Sequence, residues 1–425
     1  MVRLYAFNIL KYYYKRGTLS QNDLSQAYSM LEGKDISLLN NLVYGTLRYT
    51  VKIDFYLNHL IKNFKSQPPA SKTILRLGVY QLLSNFEDYA AVNETVNLVK
   101  NKKTRNFVNA VLRNFIRQKN SFKLPKNVEY SIPFDFFNYI KKNFRHNEEI
   151  FISHLMKRKK CIRVNTLLSS NENISEWLKN NEINYSIIEG LNDLFVINSE
   201  HIRLENTSLY DKGFFYIQNP SSYLASKILN PINEDTVLDA CSAPGGKTSH
   251  LSQIMKNKGK IISVDNDIIR LEIVQKNVKR LGIKNVDTVL ADVSTVEFDF
   301  KFDKILLDAT CSATATSPVH PEVLLRANIK DSLNYQSIQR KILSNLFKHI
   351  KKNGILVYST CTYYKMENTE NMRWLTSNFD VEFIKFDSLL NSLNIEYEFD
   401  GFGYYLIPND VFSGFYISKM KFGGF

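Results

Sequence analysis

Apolar residues recur three and four positions apart through the first 125 residues: Leu4, Ile9 and Leu10; Leu38, Leu39, Leu42 and Val43; Ile74, Leu75, Leu77 and Leu82; Val108, Val111 and Leu112. That period sets them along one face of successive helices. Gly17, Gly33, Pro68–Pro69 and Pro125 interrupt the runs, so the pattern predicts a bundle of several helices over 1–125. From about 130 the period changes. Pro133 opens a helix, Cys161–Asn165 reads as a strand, Ser186–Ile197 alternates like strand material, and the polar run Ser169–Asn173 reads as a loop. Residues 126–225 are expected to form a small α/β module.

From 236 onward, short apolar runs alternate with helical stretches. TVLDA (236–240), IISVD (261–265), VDTVLAD (286–292), KILLDA (304–309) and ILVYST (355–360) are the runs, with helices expected over 267–281 and 332–352. Such a rhythm predicts a mostly parallel sheet covered on both faces. The stretches 381–386 and 414–419 could add an antiparallel edge. The fold class expected for 226–425 is α/β, doubly wound.

Charge alters this picture only in the first third. The chain carries 55 Lys+Arg against 42 Asp+Glu, a formal +13. Residues 1–125 hold 19 of the basic and 7 of the acidic side chains, a net of +12. A basic block of this kind suits a polyanion, because neutralised phosphates release condensed counterions; a lysine-rich solvated face fits the count equally well. The Lys100–Arg105 run divides the same way. No stretch of about 18 apolar residues occurs, and the N-terminal sequence lacks an export signal's apolar core and small-residue site. A cytoplasmic protein with no membrane partner is expected. Cys161, Cys241, Cys311 and Cys361 make neither a disulfide framework nor a zinc-spaced cluster, so reduced thiols and no metal are expected.

The candidate chemistry gathers at the strand ends. Cys241-Ser242-Ala243-Pro244-Gly245-Gly246-Lys247 follows the first predicted strand and opens a helix. Glycine lets backbone approach a ligand closely there, although such a turn can also be a plain tight connection. Asp265, Asp292 and Asp308 end the next three strands. A carboxylate at the second strand end can accept from both hydroxyls of a ribose, and the third can meet an adenine edge. Three acids on one sheet edge beside a glycine turn point to a nucleoside-containing cofactor.

Cys311 and Cys361 follow the fourth and fifth strands, so both thiols should face the same crevice. A single cysteine more often packs as a small hydrophobe. Two beside Asp308 make a set suited to cytosine carbon 5. A thiolate adds at carbon 6 and makes carbon 5 nucleophilic, a carboxylate steadies the ring, and a second group helps the thiol leave.

At these residues the chain resembles the RsmB (Sun/Fmu) family of bacterial 16S rRNA cytosine-5 methyltransferases, over nearly its whole length. DACSAPGGKT (239–248) resembles the family's cofactor loop, and YSTCT with Glu367-Asn368 its nucleophile motif. QNPSS (218–222) and RVNTL (163–167) resemble the segments ahead of the catalytic domain. LVYGTLR (42–48), LRLGVYQLL (75–83), VNETV (92–96) and FVNAVLR (107–113) resemble its NusB-like RNA-binding bundle. The resemblance implies S-adenosylmethionine contacts from 241–247, Asp265, Asp292 and Asp308. It implies Cys361 as nucleophile, Cys311 as the residue assisting release, and 16S rRNA, before subunit assembly is complete, as the partner. Departures cluster in one loop expected to touch the target base. Thr310 and Ala315 replace the family's proline and glycine, and 316–322 lacks its basic pair.

Other readings remain open from sequence: an RNA-binding assembly factor with a degenerate catalytic domain, or a tRNA cytosine-5 methyltransferase. Arg163 and Asn165 fit either an RNA contact or a strand cap. A monomer is the default expectation.

Overall fold

The computed structural model describes every residue except 20, 85, 156–158, 200–201 and 424–425. The chain forms two compact units: Met1–Arg145 with His320–Ala327, and His146–Val319 with Asn328–Phe425.

The first unit is helical. Helices Val2–Arg16, Gln21–Tyr28, Gly33–Arg48, Thr50–Leu60, Pro69–Leu83, Asp88–Asn97 and Lys102–Gln118 are followed by the shorter Lys126–Glu129 and Phe134–Asn143. The breakers act as read. Gly17 takes the left-handed conformation (φ 76°) that ends the first helix, and its N–H donates to the Tyr13 carbonyl at 2.7 Å. Leu10, Leu39, Leu42, Val43, Leu75, Leu77, Val108 and Leu112 are buried in one core, while Leu4 faces solvent. Gly45 lets two helices close up, since a Cβ there would lie 2.0 Å from the Tyr80 ring. Residues 320–327 return to this unit: Val323 and Leu324 are buried and Leu325 packs on its core. The sequence reading kept that segment in the 226–425 domain, because a short Val-Leu-Leu run is not assignable to a core by spacing alone.

In the second unit, β1 (Lys160–Val164), β2 (Tyr185–Ile188), β3 (Leu191–Ile197) and β4 (Phe215–Ile217) form an antiparallel sheet in the order β2-β3-β1-β4. Gly190 (φ 79°) folds the expected 186–197 stretch into a hairpin of two strands. The polar run 169–173 is not all loop: Ser170 caps a helix, Asn171–Asn180, by accepting from Asn173 N–H at 3.3 Å.

The large sheet holds β5 (Thr236–Ala240), β6 (Lys260–Asp265), β7 (Val286–Leu290), β8 (Phe302–Asp308), β9 (Ile350–Thr360), β10 (Val381–Phe383), β11 (Tyr397–Phe399), β12 (Tyr404–Leu406) and β13 (Phe415–Phe422). Its order is β11-β12-β13-β9-β8-β5-β6-β7, with β10 beside β13. Strands β5 to β9 run parallel; β13 joins β9 antiparallel, as the late apolar stretches suggested. Helix Pro220–Leu229 packs into the core of this sheet with Val237, Leu306 and Val357, so the expected boundary at 225/226 falls inside a helix. The helix expected over 332–352 runs Ile329–His349, with Asn328 as its cap, and 350–352 already belong to β9. Chain order reverses between β5 and β8, which opens a crevice at their carboxyl ends. Among the described residues, no helix is long and apolar enough to cross a membrane.

Candidate active site

The loop after β5 is shaped by its neighbours. Cys241 has φ 109° and Gly245 φ 95°, and the N–H groups of Cys241 and Ser242 donate to the Val264 carbonyl at 3.1 and 2.9 Å. Asp265 shapes it further. One carboxylate oxygen accepts from Ala243 N–H at 3.2 Å and the other from Asp267 N–H at 3.1 Å. The acid expected to meet a ribose therefore also braces the loop. Asp292 lies two residues past the end of β7, not on it, and its carboxylate accepts from Ser294 N–H at 2.9 Å.

A cavity of 470 Å³ joins these groups, lined among others by Cys241, Asp265, Asp292, Asp308, Cys311 and Cys361. A smaller one of 170 Å³ is lined by Gln218, Asp239, Ser242, Pro244, Gly246 and Lys247, among others. The expected residues thus converge on two neighbouring spaces, with Cys241, Ala243 and Asp308 bordering both.

Asp308 is held at both oxygens. Lys247 Nζ donates to Oδ2 at 2.5 Å and Ser359 Oγ to Oδ1 at 2.8 Å. Cys311 Sγ and Cys361 Sγ stand 3.4 Å apart. That contact, followed by burial, holds the Cys311 thiol well above the usual thiol range. Burial, reinforced by Asp265, pushes the Cys241 thiol up to about 12. Burial likewise pushes the Asp239 carboxyl up to about 6, although Thr248 Oγ1 donates to it at 2.6 Å.

Sequence reasoning missed the frame behind the thiols. Glu367 is fully buried; its Oε1 accepts from Ser312 Oγ at 2.6 Å and its Oε2 from Ser312 N–H at 3.0 Å and Gln339 Nε2 at 3.1 Å. This ties the residue after Cys311 to the segment after Cys361. Thr310, in place of proline, gives its carbonyl to Gln339 Nε2 at 2.9 Å. A buried Glu six residues after a cysteine was the available signal.

Arg163 and Asn165 are buried, and Asn165, directly after β1, takes the capping role: its Oδ1 accepts from Leu167 N–H at 3.2 Å. Arg163 donates to the Gly246 carbonyl and Ser249 Oγ, each at 2.8 Å, and to Gln218. Asn165 Nδ2 donates to the carbonyls of Gly213 and Leu281 at 2.8 and 2.9 Å. Arg163 fastens the small sheet to the glycine loop, and Asn165 fastens it to the segments at Gly213 and Leu281.

The residues present fit a nucleoside cofactor with a charged tail. Ser242 Oγ and Asp239 Oδ1 are buried without a hydrogen-bond partner among the described residues, and both line the smaller cavity. Such atoms are costly unless a ligand meets them. A doubly wound sheet, a glycine loop and acids at or just past three successive strand ends fit a Rossmann-like S-adenosylmethionine-dependent methyltransferase.

Residues 226–421 match the family described as 16S rRNA methyltransferase RsmB/F, and residues 1–117 match the NusB family. A Coxiella burnetii protein named probable ribosomal RNA small subunit methyltransferase B is 30% identical over 91% of this chain and 92% of its own. The chain belongs to the ribosomal RNA small subunit methyltransferase B family. The tRNA (cytosine(72)-C(5))-methyltransferase of Pyrococcus horikoshii is 38% identical over 40% of this chain and 44% of its own. The solved structure of PH0851 has the same fold, with a TM-score of 0.80 over 98% of both chains at 23% identity.

Proposed function

We propose that the protein methylates carbon 5 of a cytosine in 16S rRNA, with Cys361 as the nucleophile. The observation that carries the reading is the pair of thiols 3.4 Å apart at adjacent strand ends, in the cavity that also holds Asp265, Asp292 and Asp308. The names of its relatives support rRNA as the substrate and cytosine carbon 5 as a target of this catalytic domain.

Contacts from Cys241, Ser242, Ala243, Pro244, Gly245, Gly246, Lys247, Asp265, Asp292 and Asp308 would hold S-adenosylmethionine, which supplies an electrophilic methyl group. The Cys361 thiolate adds to carbon 6 of the base, and the ring's electrons shift toward carbon 5. Asp308, fixed by Lys247 and Ser359, accepts from the base's exocyclic amino group as charge develops. After methylation, carbon 5 gives its proton to solvent, and the electrons of that bond re-form the ring double bond as the Cys361 thiolate leaves carbon 6. Cys311, its sulfur 3.4 Å from that of Cys361, assists that release. The base must leave its stack to reach the thiol, which favours loop or unassembled RNA.

The test is transfer of labelled methyl from S-adenosylmethionine to unassembled 16S rRNA, with tRNA alongside. Label is expected in a single rRNA cytosine. Cys361→Ala should abolish it while cofactor affinity persists, and Cys311→Ala should accumulate a denaturant-resistant protein–RNA adduct. Transfer by Cys361→Ala would overturn the nucleophile. Tight rRNA binding without any transfer would overturn the activity.

A further inference from the structure

Four cysteines are present, none in a disulfide, and three border one cavity: Cys241, Cys311 and Cys361. Their surroundings differ. Burial and Asp265 push the Cys241 thiol up to about 12. Cys311 and Cys361 are half-buried and touch each other at 3.4 Å. The backbone around them is held close on both sides of the contact. Before it, Ala309 N–H donates to the Ser359 carbonyl at 2.9 Å; after it, Ala315 N–H donates to the Cys361 carbonyl at 3.0 Å. Strands β8 and β9 pair at Asp308 and Ser359, immediately ahead of the two thiols. From 3.4 Å, the two sulfurs must close by about 1.4 Å to reach the roughly 2.05 Å of a sulfur–sulfur bond.

We propose that Cys311 and Cys361 form a reversible disulfide when a hydroperoxide enters the cavity, with Cys311 as the resolving thiol. The cavity opens both thiols to a small oxidant. The Cys361 thiolate attacks one peroxide oxygen; the O–O bond breaks, hydroxide (or alkoxide) leaves, and Cys361 becomes a sulfenic acid. The Cys311 sulfur then attacks the Cys361 sulfur. Its proton and the sulfenic hydroxyl leave as water, and the S–S bond forms. Two electrons pass from the thiol pair to the peroxide in total. Without Cys311, the sulfenic acid remains open to a second peroxide and to irreversible sulfinic acid. The same adjacency that assists product release thus shields Cys361 from permanent loss. Only the assignment of Cys361 as thiolate nucleophile rests on the function proposed above.

The experiment treats the full chain with hydrogen peroxide and reads intact mass, free thiols and peptides. Wild type should become lighter by two hydrogens, and its free thiols should fall from four to two. Tryptic peptide 305–326, carrying Cys311, should link to 353–365, carrying Cys361. A dithiol reductant should restore both thiols. Cys311→Ser should give no link and should gain two oxygens on 353–365. Equal sulfinic oxidation of Cys361 in wild type and Cys311→Ser, with no linked peptide, would overturn the proposal. Linkage that leaves methyl transfer untouched would support the thiol pair and overturn Cys361 as the nucleophile.

Discussion

Asp239 permits a quantitative test of how the site strains the fold. It ends β5 beside the glycine loop, fully buried, with one oxygen taking the Thr248 hydroxyl and the other unpaired. Burial raises its carboxyl from 3.8 to about 6. In the unfolded chain the group ionises near its ordinary value, so between pH 4 and 6 the folded state binds more protons than the unfolded one. Stability must then fall as pH rises through that window, and above it the penalty is complete. At about 1.4 kcal/mol per pH unit, a rise from 3.8 to about 6 costs about 3 kcal/mol.

Asp239→Asn keeps the shape and the acceptor for Thr248 but cannot ionise. Above pH 7 the variant should be more stable than wild type by about 3 kcal/mol in the absence of ligand, with the gap closing toward pH 4. Urea unfolding followed by tryptophan fluorescence is the assay, because both tryptophans, Trp177 and Trp374, lie in the second unit. A variant no more stable than wild type at pH 8, or a gap independent of pH, would refute the reasoning.

Two further substitutions test the frame around the site. Glu367→Gln leaves one acceptor oxygen where the carboxylate had two, so Ser312 and the adjacent Cys311 lose definition; kcat should fall roughly tenfold, the equivalent of one buried hydrogen bond, with cofactor affinity unchanged by calorimetry. Arg163→Lys offers one nitrogen where two arms reach Gly246, Ser249 and Gln218. It should cost about 2–4 kcal/mol in the same urea assay and weaken cofactor binding through the Gly246 loop.

The elements and the reactive residues were legible along the chain because each has a local cause. The helical period of residues 1–125, the apolar runs that became β5 to β9, the glycine turn and the cysteines after β8 and β9 all follow from neighbours in sequence. Where the reading differed, single turn and cap residues or long-range packing decided. Gly190 and Ser170 bent two local readings into a hairpin and a capped helix. Residues 320–327 left their sequence neighbours for the core of the helical unit, a choice set by the apolar surface offered there.

The sequence alone determined which groups could do chemistry, since thiols and carboxylates at strand ends are properties of residue type and period. Tertiary structure alone decided what each does. It brought Cys311 and Cys361 to 3.4 Å, turned Arg163 inward to the glycine loop, and placed Glu367 behind the thiols. The physical reason is that reactivity depends on desolvation and on partners tens of residues away, and neither is written in the spacing of the chain.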